Sequence, residues 1–109
     1  MRYKLYLDNA GLPVHIGSGF KGTAGWTIKQ DYDDVIDHIE KHGCPVFISF
    51  GNQIDGGLGK TMYDLANWLI AQDLKGQFFP DDFDFTVHSD NPMDVANISN
   101  LLNAYLRSR

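Results

Sequence analysis

Apolar positions fall into short runs separated by glycine, proline and acidic residues, and the spacing within the runs changes along the chain. Tyr3 to Leu7 is an apolar and aromatic run stopped by Asp8-Asn9-Ala10-Gly11, which reads as a buried strand ending in a polar turn. Residues 10–25 are rich in glycine and carry Pro13, the composition of an irregular loop. Trp26-Thr27-Ile28-Lys29 alternates apolar with polar, as a half-exposed strand does. Val35, Ile36 and Ile39 then recur at helical spacing. Asp31 is placed to cap that helix, Asp33 and Asp34 favour the positive end of its dipole, and Lys41 and Gly43 mark its close before Pro45.

Val46-Phe47-Ile48-Ser49-Phe50 is the most apolar run and reads as a central strand of a parallel sheet. Residues 51–60 are too rich in glycine for helix or strand. Thr61 and Asp64 have capping-box spacing, and Tyr63, Leu65, Ala66, Trp68, Leu69 and Ile70 supply the apolar face of a second helix. Phe83 to His88 alternates as a fourth strand. Asn91 and Pro92 fit the cap and first turn of a last helix carried to the terminus by Val95, Ile98, Leu101, Leu102 and Leu106. After the second strand, helices separate the strands. Right-handed crossovers then give an α/β fold with a mostly parallel four-stranded sheet. In such sheets ligands bind beyond the carboxyl ends of the strands, where Asp8-Asn9, residues 51–60 and His88-Ser89-Asp90-Asn91 should meet.

The 109 residues suit a single domain over 1–109, and 43% hydrophobic content supports a real core. A formal charge of −5 argues against non-specific nucleic-acid binding, which needs clustered Lys and Arg. The single cysteine, Cys44, allows no internal disulfide, and no Cys/His zinc spacing is present. Without a signal-like start or a run long enough to span a membrane, the protein is expected to be cytoplasmic, with no membrane partner.

Gly59-Lys60-Thr61, between an apolar strand and a helix start, invites comparison with a phosphate-binding P-loop. That motif needs a glycine five places before Gly59, where Ile54 stands. What the loop retains is Lys60 beside a helix start, an arrangement able to hold an anion.

Five segments together resemble the cyclic-phosphate-processing receiver domains, small relatives of response-regulator receivers, over nearly the whole chain. Members show a first strand ending Leu-Asp-Asp, a Gly-Trp before the second strand and an Ile-Ser-Leu-Asp-His-Asp strand end. A Gly-Tyr-Asp helix start and Val-His-Ser-x-Asn-Pro follow. Leu7-Asp8-Asn9, Gly25-Trp26, Ile48-Ser49-Phe50-Gly51-Asn52-Gln53, Met62-Tyr63-Asp64 and Val87-His88-Ser89-Asp90-Asn91-Pro92 occupy those places in order. The resemblance implies a receiver- or flavodoxin-like three-layer domain with helices on both faces of the sheet. It also allows an origin in a bacterium or its phage.

The departures fall at the site, where Asn9 and Gly51-Asn52-Gln53 replace most of the family's carboxylates. Phosphorelay signalling is thereby excluded, because Gly51 stands where a phosphoacceptor aspartate would be. A hard divalent cation wants several anionic oxygens, so any metal held by Asp8, with Asp55 from the neighbouring loop, should bind weakly. The retained part faces phosphate: His88, Ser89 and Asn91, with Lys60 and Asn52 from the glycine loop, are the expected phosphate-binding residues. Two functions compete. One is a non-catalytic binding or regulatory module, a pseudoenzyme that engages a phosphate-containing ligand or a protein partner. The other is a phosphoesterase that processes cyclic phosphates on nucleotides or RNA ends, with His88 as acid or base and Asp8 orienting it.

Overall fold

A computed structural model describes residues 3–8, 26–51, 54, 56 and 58–108. Four strands, β1 (Lys4–Leu7), β2 (Trp26–Lys29), β3 (Phe47–Phe50) and β4 (Asp84–Val87), alternate with three helices, α1 (Tyr32–His42), α2 (Met62–Leu74) and α3 (Pro92–Ser108), in the anticipated order. The strands pair in the order β2-β1-β3-β4, and every described pairing is parallel.

Local chemistry sets the helix limits. The Asp31 carboxylate accepts from the Asp34 N–H at 3.2 Å at the start of α1. Gly43 ends that helix at φ 85°, a left-handed conformation that favours glycine, with its N–H on the Ile39 carbonyl. Thr61 and Asp64 form the reciprocal capping box at the start of α2. The Asn91 carboxamide oxygen accepts from the Met93 N–H at 2.9 Å, and Pro92 occupies the first position of α3. At the far end of α2, the Asp73 carboxylate accepts from the N–H groups of Phe78 and Phe79 and from the Tyr105 hydroxyl. That ties the α2–β4 connection to α3.

Period-two alternation assigns the two faces of the sheet. Leu5, Leu7, Ile48 and Phe50 are fully buried on one face, and the buried residues of all three helices join them: Val35 and Ile39, Leu65 and Leu69, Ile98 and Leu102. Each such side chain contributes about 1.5–3 kcal/mol on burial, so this face fixes the strands in register. Helices were expected on both faces, and those described lie on this one. The crossovers β2-α1-β3 and β3-α2-β4 travel in the same direction across the sheet, so right-handedness puts α1 and α2 together, and α3 packs beside α2. Residues 9–25, which join β1 to β2, lie outside the described residues. Among the described residues no helix is long and apolar enough to cross a membrane.

The opposite face carries the polar groups of the site beside Trp26, Ile28 and Phe47. Register pairs Tyr6 with Ser49 and Ser49 with Thr86, so those three side chains share it. Asp8 and His88 follow on the same side, two residues beyond Tyr6 and Thr86.

Candidate functional site

The carboxyl ends of β1, β3 and β4 bring together Asp8, Ser49 and His88. The backbone holds each end in place: the Asp8 N–H donates to the Lys29 carbonyl at 3.2 Å and the His88 N–H to the Phe50 carbonyl at 2.7 Å. The imidazole then bridges two strands through its side chain. Nε2 lies 3.1 Å from Asp8 Oδ2 and Nδ1 lies 2.6 Å from Ser49 Oγ. A carboxylate only accepts, so in the neutral ring Nε2–H donates to Asp8 and Nδ1 accepts from the Ser49 hydroxyl. Tyr6 stacks on the ring, with centroids 4.5 Å apart and planes 17° from parallel. The cluster is enclosed: side-chain exposure is 8% for Asp8 and 13% for His88, and Ser49 is 1% exposed.

Gly51 belongs to this cluster without contributing a side chain. A Cβ built on it would run into the Leu7 carbonyl oxygen and would lie 2.5 Å from Asp8 Oδ2 and 2.6 Å from His88 Nε2. The Asp8–His88 pair therefore fills the space into which a phosphoacceptor side chain at this position would project.

The other expected site residues are placed differently. The Ser89 hydroxyl accepts from the Asn91 N–H at 3.0 Å, and the Asn91 carboxamide oxygen caps α3. With Asp94 in the first turn of that helix, its start already carries a cap and a negative charge. Lys60 is exposed and borders a cleft between the start of α2 and the first turns of α3, whose lining does not include Asp8, Ser49 or His88. Its neighbour Thr61 uses both its N–H and its hydroxyl in the capping box with Asp64. The hydrogen bonds from Thr61 hold the Asp64 carboxyl below its ordinary range. The start of α2 is thus already occupied by an internal anion. Asn52 and Asp55 lie outside the described residues.

Ser49 and Tyr6 are the members of the cluster that pattern reading did not assign. Ser49 had a signal, being the one hydroxyl inside the most apolar strand of the chain, and a buried hydroxyl needs a partner.

A hard divalent cation does not fit the described donors. Among the described residues no group of three or more His, Cys, Asp or Glu side chains is arranged to hold a metal ion, and Asp8 is already hydrogen-bonded to His88.

Tyr6 at the site, with Tyr3 and Tyr32 buried elsewhere in the core, gives the domain a pH signature. Burial, and next the charge of Asp8, raises the Tyr6 phenol above its ordinary value of 10.0. Burial raises Tyr3 and Tyr32 in the same direction, reinforced by Cys44 beside the first and by Asp64 and Asp33 beside the second. A pKa raised on folding means that the neutral form is favoured in the native state. The associated stability is fully present below about pH 10 and is lost as the pH climbs through the native values. Thermal melts across the alkaline range should show a steep fall beginning near pH ~10 that is shallower in Tyr6→Phe. A melting temperature independent of pH above 10 would contradict the burial of these groups.

The sequence matches the family model described as the cyclic-phosphate processing receiver domain over residues 3–104. No curated protein and no solved structure matches it.

Proposed function

The chain belongs to the cyclic-phosphate processing receiver domains, and from that premise we propose that it is a non-catalytic receiver-like module that binds a phosphate-containing ligand as a recognition or regulatory event. The observation that carries this reading is the closed Asp8–His88–Ser49 chain. Both imidazole nitrogens are engaged inside the protein, whereas general acid–base catalysis requires one of them within hydrogen-bond reach of the substrate. The Ser49 hydroxyl, 1% exposed, is likewise too enclosed to serve as a nucleophile. Asp8 stands alone where the family pattern has several carboxylates, which argues against metal-assisted hydrolysis.

One observation favours a second reading, a phosphoesterase. An imidazole oriented by a buried carboxylate is the arrangement that general acid–base catalysis uses. Displacement of the Ser49 hydroxyl by a ligand would free Nδ1 for a substrate oxygen while Asp8 keeps the ring oriented through Nε2.

The readings separate in one experiment. Nucleoside monophosphates cyclised across the ribose diol are titrated by calorimetry, and the same mixtures are followed by phosphorus NMR. We expect saturable binding with the cyclic phosphate intact after prolonged incubation. Ring opening that disappears in Asp8→Asn would establish the enzyme instead. No binding to any phosphate ligand would leave a protein partner as the better account.

A further inference from the structure

The cleft beside Lys60 has a composition that selects a ligand more specific than phosphate, and its assignment rests on the phosphate-ligand reading above. It encloses about 380 Å³ between the segment that leaves β3 and the first turns of α3, which follows β4. That places it at the carboxyl edge of the sheet, where open parallel sheets bind their ligands. Its floor is apolar, formed by Ile54, Met62 and Ile98, all buried. Its rim carries Lys60, Asp94 and Asn97. The ring of Tyr63, 42% exposed, stands at the mouth.

This is not a site for a bare anion. The capping box engages the N–H groups of Thr61 and Asp64, the Asp64 carboxylate sits at the start of α2, and Asp94 offsets the charge of Lys60. Inorganic phosphate would gain little. A ligand gains here by burying flat apolar surface on the floor and against Tyr63, while presenting N–H donors to Asp94 and an anionic group to Lys60. The volume falls in the range of small-molecule pockets, roughly 300–1,000 Å³.

Among bases, guanine offers two adjacent N–H donors on one edge, matching the paired acceptor oxygens of a carboxylate. Adenine and cytosine offer an amino group beside a ring nitrogen whose lone pair repels a carboxylate, and uracil offers one N–H between two carbonyls. The Asn97 carboxamide can donate to the guanine carbonyl. We propose that this cleft receives the base of a guanine nucleotide, with Asp94 on its N–H edge and Lys60 directed to its phosphate.

Calorimetric titrations with guanosine, with the ribose-diol cyclic monophosphates of guanosine, adenosine and cytidine, and with inorganic phosphate test this. The guanosine cyclic phosphate should bind about tenfold or more tightly than the other two, since a site built to pair donors rejects ligands that lack them. Asp94→Asn should abolish that preference. Lys60→Ala should bring the nucleotide close to guanosine. Both positions are at the surface or partly exposed, and melting temperatures near that of the wild type would show that the fold is kept. Equal affinity for all three bases, or a preference that survives Asp94→Asn, would overturn the assignment of the cleft while leaving the phosphate reading intact. Guanosine binding as tightly as its cyclic phosphate would support the base site and sink the phosphate reading. No binding by any ligand would sink both.

Discussion

Replacing Gly51 by alanine should lower the stability of the domain by about 3 kcal/mol, and replacing it by aspartate should lower it further. The reason is space rather than backbone conformation, because Gly51 does not have the positive φ that demands glycine at Gly43 or Gly59. An added Cβ meets the Leu7 carbonyl oxygen, a backbone atom that no rotamer change can move, and it also crowds Asp8 Oδ2 and His88 Nε2. To make room, the carboxyl ends of β1 and β3 must separate, breaking the parallel pairing of Leu7 with Phe50. Overpacking a well-filled site costs typically about 1–3 kcal/mol, and a backbone obstacle puts this one at the upper end. In a domain of this size the melting temperature should fall by roughly 10 °C or more. Aspartate adds a second carboxylate against Asp8, so it should neither restore a phosphoacceptor nor be tolerated. Denaturant melts of both variants, with mass spectrometry after incubation with acetyl phosphate, check the two parts. A Gly51→Asp protein with the wild-type midpoint and a phosphoryl adduct would mean that the site is an eroded receiver rather than a refilled one.

That distinction marks where the sequence stops being legible. The start of every described helix could be read from it, because the caps at Asp31, Thr61 and Asn91 are interactions between residues two or three apart. The parallel strand arrangement was legible for a related reason: helical and strand periods alternate, and crossover handedness leaves few choices. Placing all three described helices on one face needs the strand order as well, which periodicity does not contain. The site is of a third kind. His88 meets Ser49 and Asp8 across 39 and 80 residues of sequence. Pattern reading could nominate Asp8 and His88 but could not join them through Ser49. Gly51 reads in the sequence as a carboxylate lost, and only the packing shows that the vacated volume is taken. Lys60 with Thr61 reads as an anion cradle, and the capping box shows the Thr61 donors already bound to Asp64. In each case a residue type was identified correctly, and a long-range neighbour or a competing hydrogen bond decided its use.

The imidazole at the centre of the cluster should prove to be the most costly polar side chain to remove. His88→Ala takes away the hydrogen-bond partner of a carboxylate that is 8% exposed, the acceptor for the nearly inaccessible Ser49 hydroxyl and the ring stacked on Tyr6. Leaving a buried carboxylate without its partner typically costs about 3–5 kcal/mol. Asp8→Ala should cost less, about 1–3 kcal/mol, since it leaves only a neutral N–H unsatisfied. The diagnostic variant is the double substitution. With both groups gone no buried charge remains, so its loss of stability should be smaller than the sum of the single losses by about 1–3 kcal/mol. Urea denaturation of the four proteins in this cycle measures that coupling directly. Strict additivity would show that Asp8 and His88 are neighbours without being partners, and the closed chain on which the non-catalytic reading depends would have to be abandoned. Coupling of the expected size would also set the conditions for ligand studies. His88→Ala must then be assayed at a temperature where it remains folded, so that a change in ligand binding is not a consequence of unfolding.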